Sequence, residues 1–294
     1  MEPIIIVDCN ALCHKAKHTL SELTSETMHV GVIFGFLLQT LKLAKTEKSS
    51  RFAFCWDDKA SHRRKLFPAY KEGRRVAKTE KSPEDIEIDN AAYAQFDRLY
   101  DEILPKIGFK NNFKFSGYEG DDLIASIVDN SDVGQPVVIV SGDEDMLQCL
   151  VDGVEINTGK KRVTKKSFKE EYGISPEYWA LVKSIAGCKT DEVPGIKGVG
   201  EKTTIKYIND TINKNTKAYM NITCPEGKTI IARNWPLVKL PFKGCPNIDI
   251  IPDELDFDAF MDVCNELNFQ SILRKDSLQQ WKEHIFNKTK VGLF

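Results

Sequence analysis

Four short apolar, β-rich runs lead at once or within a few residues into acid, and this pattern constrains the chain more than any other. Ile4 to Val7 is followed by Asp8, Arg51 to Trp56 by Asp57 and Asp58, Asn112 to Phe115 by Glu119, Asp121 and Asp122, and Pro136 to Val140 by Asp143 and Asp145. Helical patterns over about Met28 to Lys45, Asn90 to Ile107, Tyr118 to Val128 and Asp143 to Leu150 lie among these runs. Strands alternating with helices read as an α/β fold with a parallel central sheet and flanking helices. In an open parallel sheet the C-terminal strand ends share one edge, where ligands bind. The acids are therefore expected to converge.

So much like charge in one place would raise its own pKa values and destabilise the fold unless cations neutralised it. Oxygen ligands without His or Cys select Mg²⁺ or Mn²⁺. Taken singly, each acid is better read as a helix N-cap, and Asp8, Asp57 and Asp143 all sit where caps are favoured. The set argues otherwise, because a cap needs one acceptor and these positions carry two or three, with Glu119 and Asp122 on one helix face. Two divalent ions roughly 3.5 to 4 Å apart would clamp a phosphodiester without a side-chain general base.

The formal net charge of −2 conceals a strong segregation. From Lys59 to Lys81 there are nine Lys or Arg against two acids, and from Ser82 to Glu102 seven acids against one Arg. A second basic stretch runs from Lys160 to Lys169. Basic stretches apart from clustered acids suit a chain that binds a polyanion with one and cations with the other. Solvated surface helices are the plainer explanation of any single charge run.

The apolar fraction of 41% over 294 residues is enough for a real core. The first apolar run lacks the flanks of a secretory signal, which places the chain by default in the cytoplasm, away from membranes. The eight cysteines form no CxxC pair and no zinc set, and read as reduced and mostly buried. Beyond about residue 160 the pattern becomes mostly helical, with a Pro-capped start at Ser175-Pro176-Glu177 and a Gly-rich break from Pro194 to Gly200. Two parts are predicted: an α/β part over 1–160 and a helical part over 161–294.

Six ordered segments resemble the flap endonuclease and 5′-3′ exonuclease family, which includes the 5′ nuclease domain of bacterial DNA polymerase I and stand-alone bacteriophage enzymes. They are IIIVDCNAL, CWDDKASHRRKLFPAYKEGRR, GYEGDDLIASIV, VIVSGDEDMLQCL, SIAGCKTDEVPGIKGVGEKTTIKYI and, more weakly, ARNWPLVKLP with LNFQSILRK. The resemblance implies a PIN-like sheet, a helical arch over about 71–89 broken at Ser82-Pro83, and a helix-three-turn-helix over about 184–208. It implies a first metal site of Asp8, Asp57, Glu119, Asp121 and Asp122, and a second of Asp143, Asp145 and Asp191. Tyr70, Lys71 and Arg74 match the arch foot, a gateway for single-stranded 5′ ends, where Lys71 would meet the scissile phosphate and Tyr70 stack on an unpaired base. Arg63 matches a phosphate contact, and the loop of Gly195, Lys197, Gly198, Gly200 and Lys202 a DNA-phosphate site that also holds K⁺ through carbonyls. Lys165 and Lys166 of the second basic stretch would add to DNA binding.

The chain departs from the family's pattern at Gly187-Cys188, where Gly-Asp is usual. A neutral thiol supplies neither charge nor hard oxygen, so the second ion is expected to be weakly held or held in another way; the alternative is that Cys188 merely fills space. Glu192 is close in sequence but is expected to point elsewhere. The resemblance implies a monomeric, structure-specific 5′ nuclease that acts on DNA with 5′ ends or flaps, in a bacteriophage or bacterial replication and repair setting. A PIN-like ribonuclease would lack the segments at 59–89 and 184–208, and a non-catalytic DNA-binding relative would have little use for the retained acids.

Overall fold

Strand β1 (Ile4–Asp8) lies in the interior of a six-stranded sheet whose order is β3 (Asn112–Phe113), β2 (Phe52–Cys55), β1, β4 (Val137–Val140), β5 (Val154–Asn157) and β6 (Arg162–Thr164). The computed structural model describes residues 1–20, 23–25 and 28–287. Five strands run parallel, and only β6 pairs antiparallel, with Ile156 opposite Val163. Strand order reverses at β1, since β2 follows on one side and β4 on the other; this is the switch point at which open α/β sheets hold ligands.

The sheet is buried on both faces, which accounts for the near-continuous apolar strand sequences. Ile5 and Val7 pack with Phe52 and Phe54 into one core, while Ile4 and Ile6 pack with Ala53, Leu123 and Ile139 into the other. The first core is covered by α1 (Cys9–Leu20) and α2 (Gly31–Glu47). Chain then passes through α3 (Ser61–Leu66) and α4 (Glu72–Thr79) to α5 (Pro83–Arg98). Ser82 caps α5 by accepting from the Asp85 amide at 3.1 Å, and Pro83 occupies the first turn, where its missing N–H costs nothing.

The second core takes α6 (Gly120–Asn130) and, after β6, α7 (Lys165–Tyr172) and α8 (Trp179–Ala186), through residues such as Leu123, Phe168 and Trp179. Helices α9 (Glu201–Ile208), α10 (Lys217–Thr223) and α11 (Pro225–Val238) follow. Between α8 and α9 a two-residue antiparallel hairpin pairs Cys188 with Val193 and Gly187 with Pro194.

Two expectations need correction. The helix expected to begin at Asn90 begins at Pro83, so the arch segment is α4 plus the opening of α5, which runs on through a π-helical turn at Leu99–Ile103. The chain also does not divide at residue 160. Strand β6 belongs to the sheet, and α12 (Phe257–Glu266) and α13 (Lys275–Trp281) place Phe260, Cys264 and Trp281 in the same core as Ile5. Among the described residues no helix is long and apolar enough to cross a membrane.

Candidate active site

The switch point gathers acid from four separate loops. Asp8 ends β1 and uses one carboxylate oxygen to accept from the Ala11 amide at 2.9 Å, the other from the Ser141 hydroxyl at 3.0 Å. Asp57, two residues past β2, accepts from the Gly120 amide at 2.7 Å, while its own amide donates to Asn10 Oδ1 at 3.0 Å. Asp143 caps the 3₁₀ turn Glu144–Cys149 by accepting from the Asp145 amide at 2.8 Å. Several acids are thus caps and site members at once, because a carboxylate has more lone pairs than one amide uses.

Electrostatics mark the set. Burial, then the neighbouring Asp8 and Glu119, push Asp57 up to about 7. Burial followed by Asp143 and Asp8 raises Asp121 well above the usual carboxylate range, and burial, with Asp143 also opposing ionisation, raises Asp8. Asp145 is pushed up to about 7 by burial, then by Asp143 and Asp191. Glu119 goes the other way: burial opposes its charge, but Lys71 and Arg63 outweigh burial and hold it low.

Glu119 and Asp122 do not act alike. Asp122 is fully buried, and both of its oxygens are taken by Arg63, at 2.6 and 2.7 Å in a bidentate fork. They also accept from the amides of Glu119 and Phe242, at 3.1 and 2.8 Å. This leaves Asp122 no face for a cation. Arg63 in turn is 2% exposed and donates to the Leu237 carbonyl at 2.9 Å, so it meets no DNA phosphate. The pair clamps α3 to α6 and α11. We expect Arg63→Lys, which loses the fork and strands an acceptor, to cost about 1 to 3 kcal/mol in urea unfolding and to leave the salt dependence of DNA binding unchanged; a flatter salt dependence at unchanged stability would restore the phosphate contact.

Tyr70 is likewise buried, not available to stack on a base. Its hydroxyl lies 2.8 Å from Glu119 Oε2 and 3.1 Å from Asp191 Oδ2, so it donates to one carboxylate at a time. Lys71 pairs with Glu119 and lies 3.3 Å from Asp191. The Lys71 ammonium thus neutralises carboxylates of both sets.

The turn Thr190-Asp191-Glu192 grips the foot of α4. The Lys71 amide donates to the Asp191 carbonyl at 3.1 Å, and Arg74 to the Thr190 carbonyl at 3.2 Å. The Glu192 carboxylate accepts from the Gly73 amide at 2.9 and 2.7 Å. As expected, Glu192 does not join the acids. A Cβ on Gly73 would lie 2.1 Å from Glu192 Oε1, so only glycine permits this approach. Lys71 and Glu192 both take the left-handed backbone region, at φ 53° and 57°, which side chains rarely adopt.

Beside the acids opens a cleft of about 730 Å³. Asp143, Asp145 and Cys188 line one part, Gly200, Lys202 and Thr203 at the start of α9 another. Gly198 has φ +78°, and open space surrounds both it and Gly200. Gly195 differs, for a Cβ there would lie 2.2 Å from Ala186: this glycine serves backbone packing, not approach to a phosphate. Lys197 is exposed. Lys165 and Lys166 begin α7 and do not line the cleft, and Lys165 pairs with Asp152 at 2.9 Å.

Sequence reasoning passed over Asn10, Ser141 and Lys183. The first two orient Asp57 and Asp8, and were detectable as polar residues inside the blocks VDCNAL and VIVSGD. Lys183 is buried and bonds Glu201 at 2.9 Å and Glu144 at 3.3 Å, which ties α8 to both sides of the cleft. A lysine in an otherwise apolar helix was its only signal.

Fold and site together define a class: an α/β protein whose parallel sheet collects an acidic constellation at its switch point, beside the helices α4 and α5. The chain belongs to the 5′-3′ exonuclease family, whose model "5′-3′ exonuclease, N-terminal resolvase-like domain" matches residues 3–173. It is 33% identical over 183 residues to a 5′-3′ exonuclease of Bacillus subtilis, a match covering 60% of this chain and 57% of that one. It is 29% identical over 222 residues to the DNA polymerase I of the same organism, covering 72% of this chain and 24% of the polymerase. The chain therefore spans little more than half of one relative and about a quarter of the other. Among solved structures, the bacteriophage T5 5′-exonuclease with bound zinc matches at TM-score 0.66, and the T5 flap endonuclease complex with DNA and metal ions at 0.69. Both are 20% identical and cover 98% of this chain and 99% of theirs, a likeness that establishes the fold.

Proposed function

We propose that this chain is a structure-specific 5′ nuclease, hydrolysing DNA phosphodiesters at single-stranded 5′ ends or flaps and leaving a 5′-phosphate. The observation that carries this reading is the convergence of Asp8, Asp57, Asp121 and Asp143, the first three raised by burial and by their acidic neighbours, beneath an arch whose foot supplies Lys71. Such a set fits hard divalent cations, Mg²⁺ or Mn²⁺. Asp8, Asp57 and Asp121 would hold one such ion, and Asp143, Asp145 and Asp191 would line a second cation position. Bound there, the ions supply a water activated at neutral pH and charge neutralisation for the leaving oxygen.

The protein's own groups do the rest. Lys71 exchanges its carboxylates for the reacting phosphate. Tyr70 donates to Glu119 or Asp191 during that exchange and holds whichever carboxylate it bonds. Ser141 orients the Asp8 carboxylate, and Asn10 fixes the backbone at Asp57. Lys197, Lys202 and the amides around Gly198 and Gly200 take the duplex phosphates, and K⁺ bound to this loop's carbonyls would strengthen the contact. Lys165 and Lys166 give a weaker, more distant attraction. The family and the exposed arch favour a monomeric enzyme acting in the cytoplasm of a bacterium or an infected host.

The test is an end-labelled flap duplex incubated with the chain in Mg²⁺, Mn²⁺ or chelator. Cleavage in the ions alone is expected, and cutting that persists in chelator would refute the reading. Replacing Lys197 and Lys202 by Ala should weaken duplex binding and reduce the slope of log affinity against log salt by about 1 per lost contact. An unchanged slope in fluorescence anisotropy would move the DNA to another surface.

A further inference from the structure

Cys188 does not sit where a space-filling thiol would be hidden from the site. The hairpin pairing of Cys188 with Val193 brings its side chain to the cleft wall, with Asp191 in the connecting turn. Its Sγ lies 3.8 Å from Asp145 Oδ2 and 3.0 Å from Thr190 Oγ1. One ligand atom each from Asp145, Cys188 and Asp191 falls within 4.8 Å of the other two. Cys188 shares a small apolar cluster with Ala60, Val193 and Leu237, and forms its cleft-lining corner.

We propose that Cys188 is a metal ligand, making the second cation position of this chain a mixed sulfur–oxygen site for a borderline divalent ion of the zinc and cobalt class. This rests on the nuclease reading only for the use of the ion, not for its binding. Three protein ligands with an open fourth direction suit a tetrahedral borderline ion, whereas Mg²⁺ demands octahedral oxygen and gains nothing from sulfur. Binding balances as a proton exchange: the ion forms the metal–sulfur bond, the S–H bond breaks, and the proton leaves to buffer. The sequence pattern alone suggested a weakened magnesium site; the geometry points to a changed metal preference.

Co²⁺ is the probe. Titrated into the metal-free 294-residue chain, it should produce the near-ultraviolet sulfur-to-cobalt charge-transfer band, which Zn²⁺ removes by competition and a large excess of Mg²⁺ does not. C188S should abolish the band and weaken Co²⁺ binding by about tenfold or more. C188D should lack the band and shift preference toward Mg²⁺. Circular dichroism and thermal melts of the metal-free variants establish that they fold. A wild-type chain with no band, or C188S binding Co²⁺ as tightly as wild type, would return Cys188 to a packing role. Flap cleavage without the band leaves the nuclease reading standing and sinks the ligand; a band without cleavage under any ion does the reverse.

Discussion

Asp8→Asn and Asp57→Asn will each abolish Mg²⁺-dependent flap cleavage while the variants still bind branched DNA. The carboxylates serve cations, and the surfaces proposed for phosphate lie elsewhere, around Lys197 and Lys202. In the metal-free state Asp57→Asn should also melt at a higher temperature than wild type. The sign follows from burial and its acidic neighbours, which raise Asp57 to about 7. A carboxyl raised in the folded state takes up protons on folding, so its ionised form costs stability increasingly as pH rises from the ordinary carboxylate range through about 7. Asn removes that cost, which amounts to a few kcal/mol at most. Near-wild-type cleavage by both variants would reduce these acids to helix caps.

Lys71→Ala will lower the single-turnover rate by about 3 to 4 kcal/mol, or two to three orders of magnitude, because a donor aimed at the reacting phosphate acts mainly in the transition state. Equilibrium affinity for the flap should barely change. The same substitution frees Glu119 and Asp191 from their ammonium partner, so the metal-free protein should lose stability while its affinity for divalent ions rises. If Lys71→Ala acts on affinity alone, the arch foot does not face the scissile phosphate.

How much of this was legible in the sequence depended on range. β1, β2 and β4 were readable because each is an apolar run bounded by acid. Val154–Asn157 was not, since Glu155 interrupts it, and Arg162–Thr164 was hidden inside a basic stretch. The resemblance placed Asp8, Asp57, Asp121 and Asp143 together, and the structure makes them electrostatic neighbours. What it could not supply was the partner of each polar group. Arg63 and Asp122 are separated by 59 positions, and only the fold reveals that they satisfy each other. Tyr70 is a second case: a residue placed at a gateway is buried, its hydroxyl set between two carboxylates.

The grip of Glu192 on the Gly73 amide couples the arch foot to the hairpin turn. Any side chain at position 73 evicts the Glu192 carboxylate, and any shift of that turn moves Asp191 with it. A graft of this arch onto a related scaffold would therefore have to carry the 190–192 turn along, although more than a hundred residues of chain separate the two. Recombination that joins the arch of one parent to the hairpin of another should yield folded proteins with misplaced second sites, and the seam to avoid lies between residues 74 and 190.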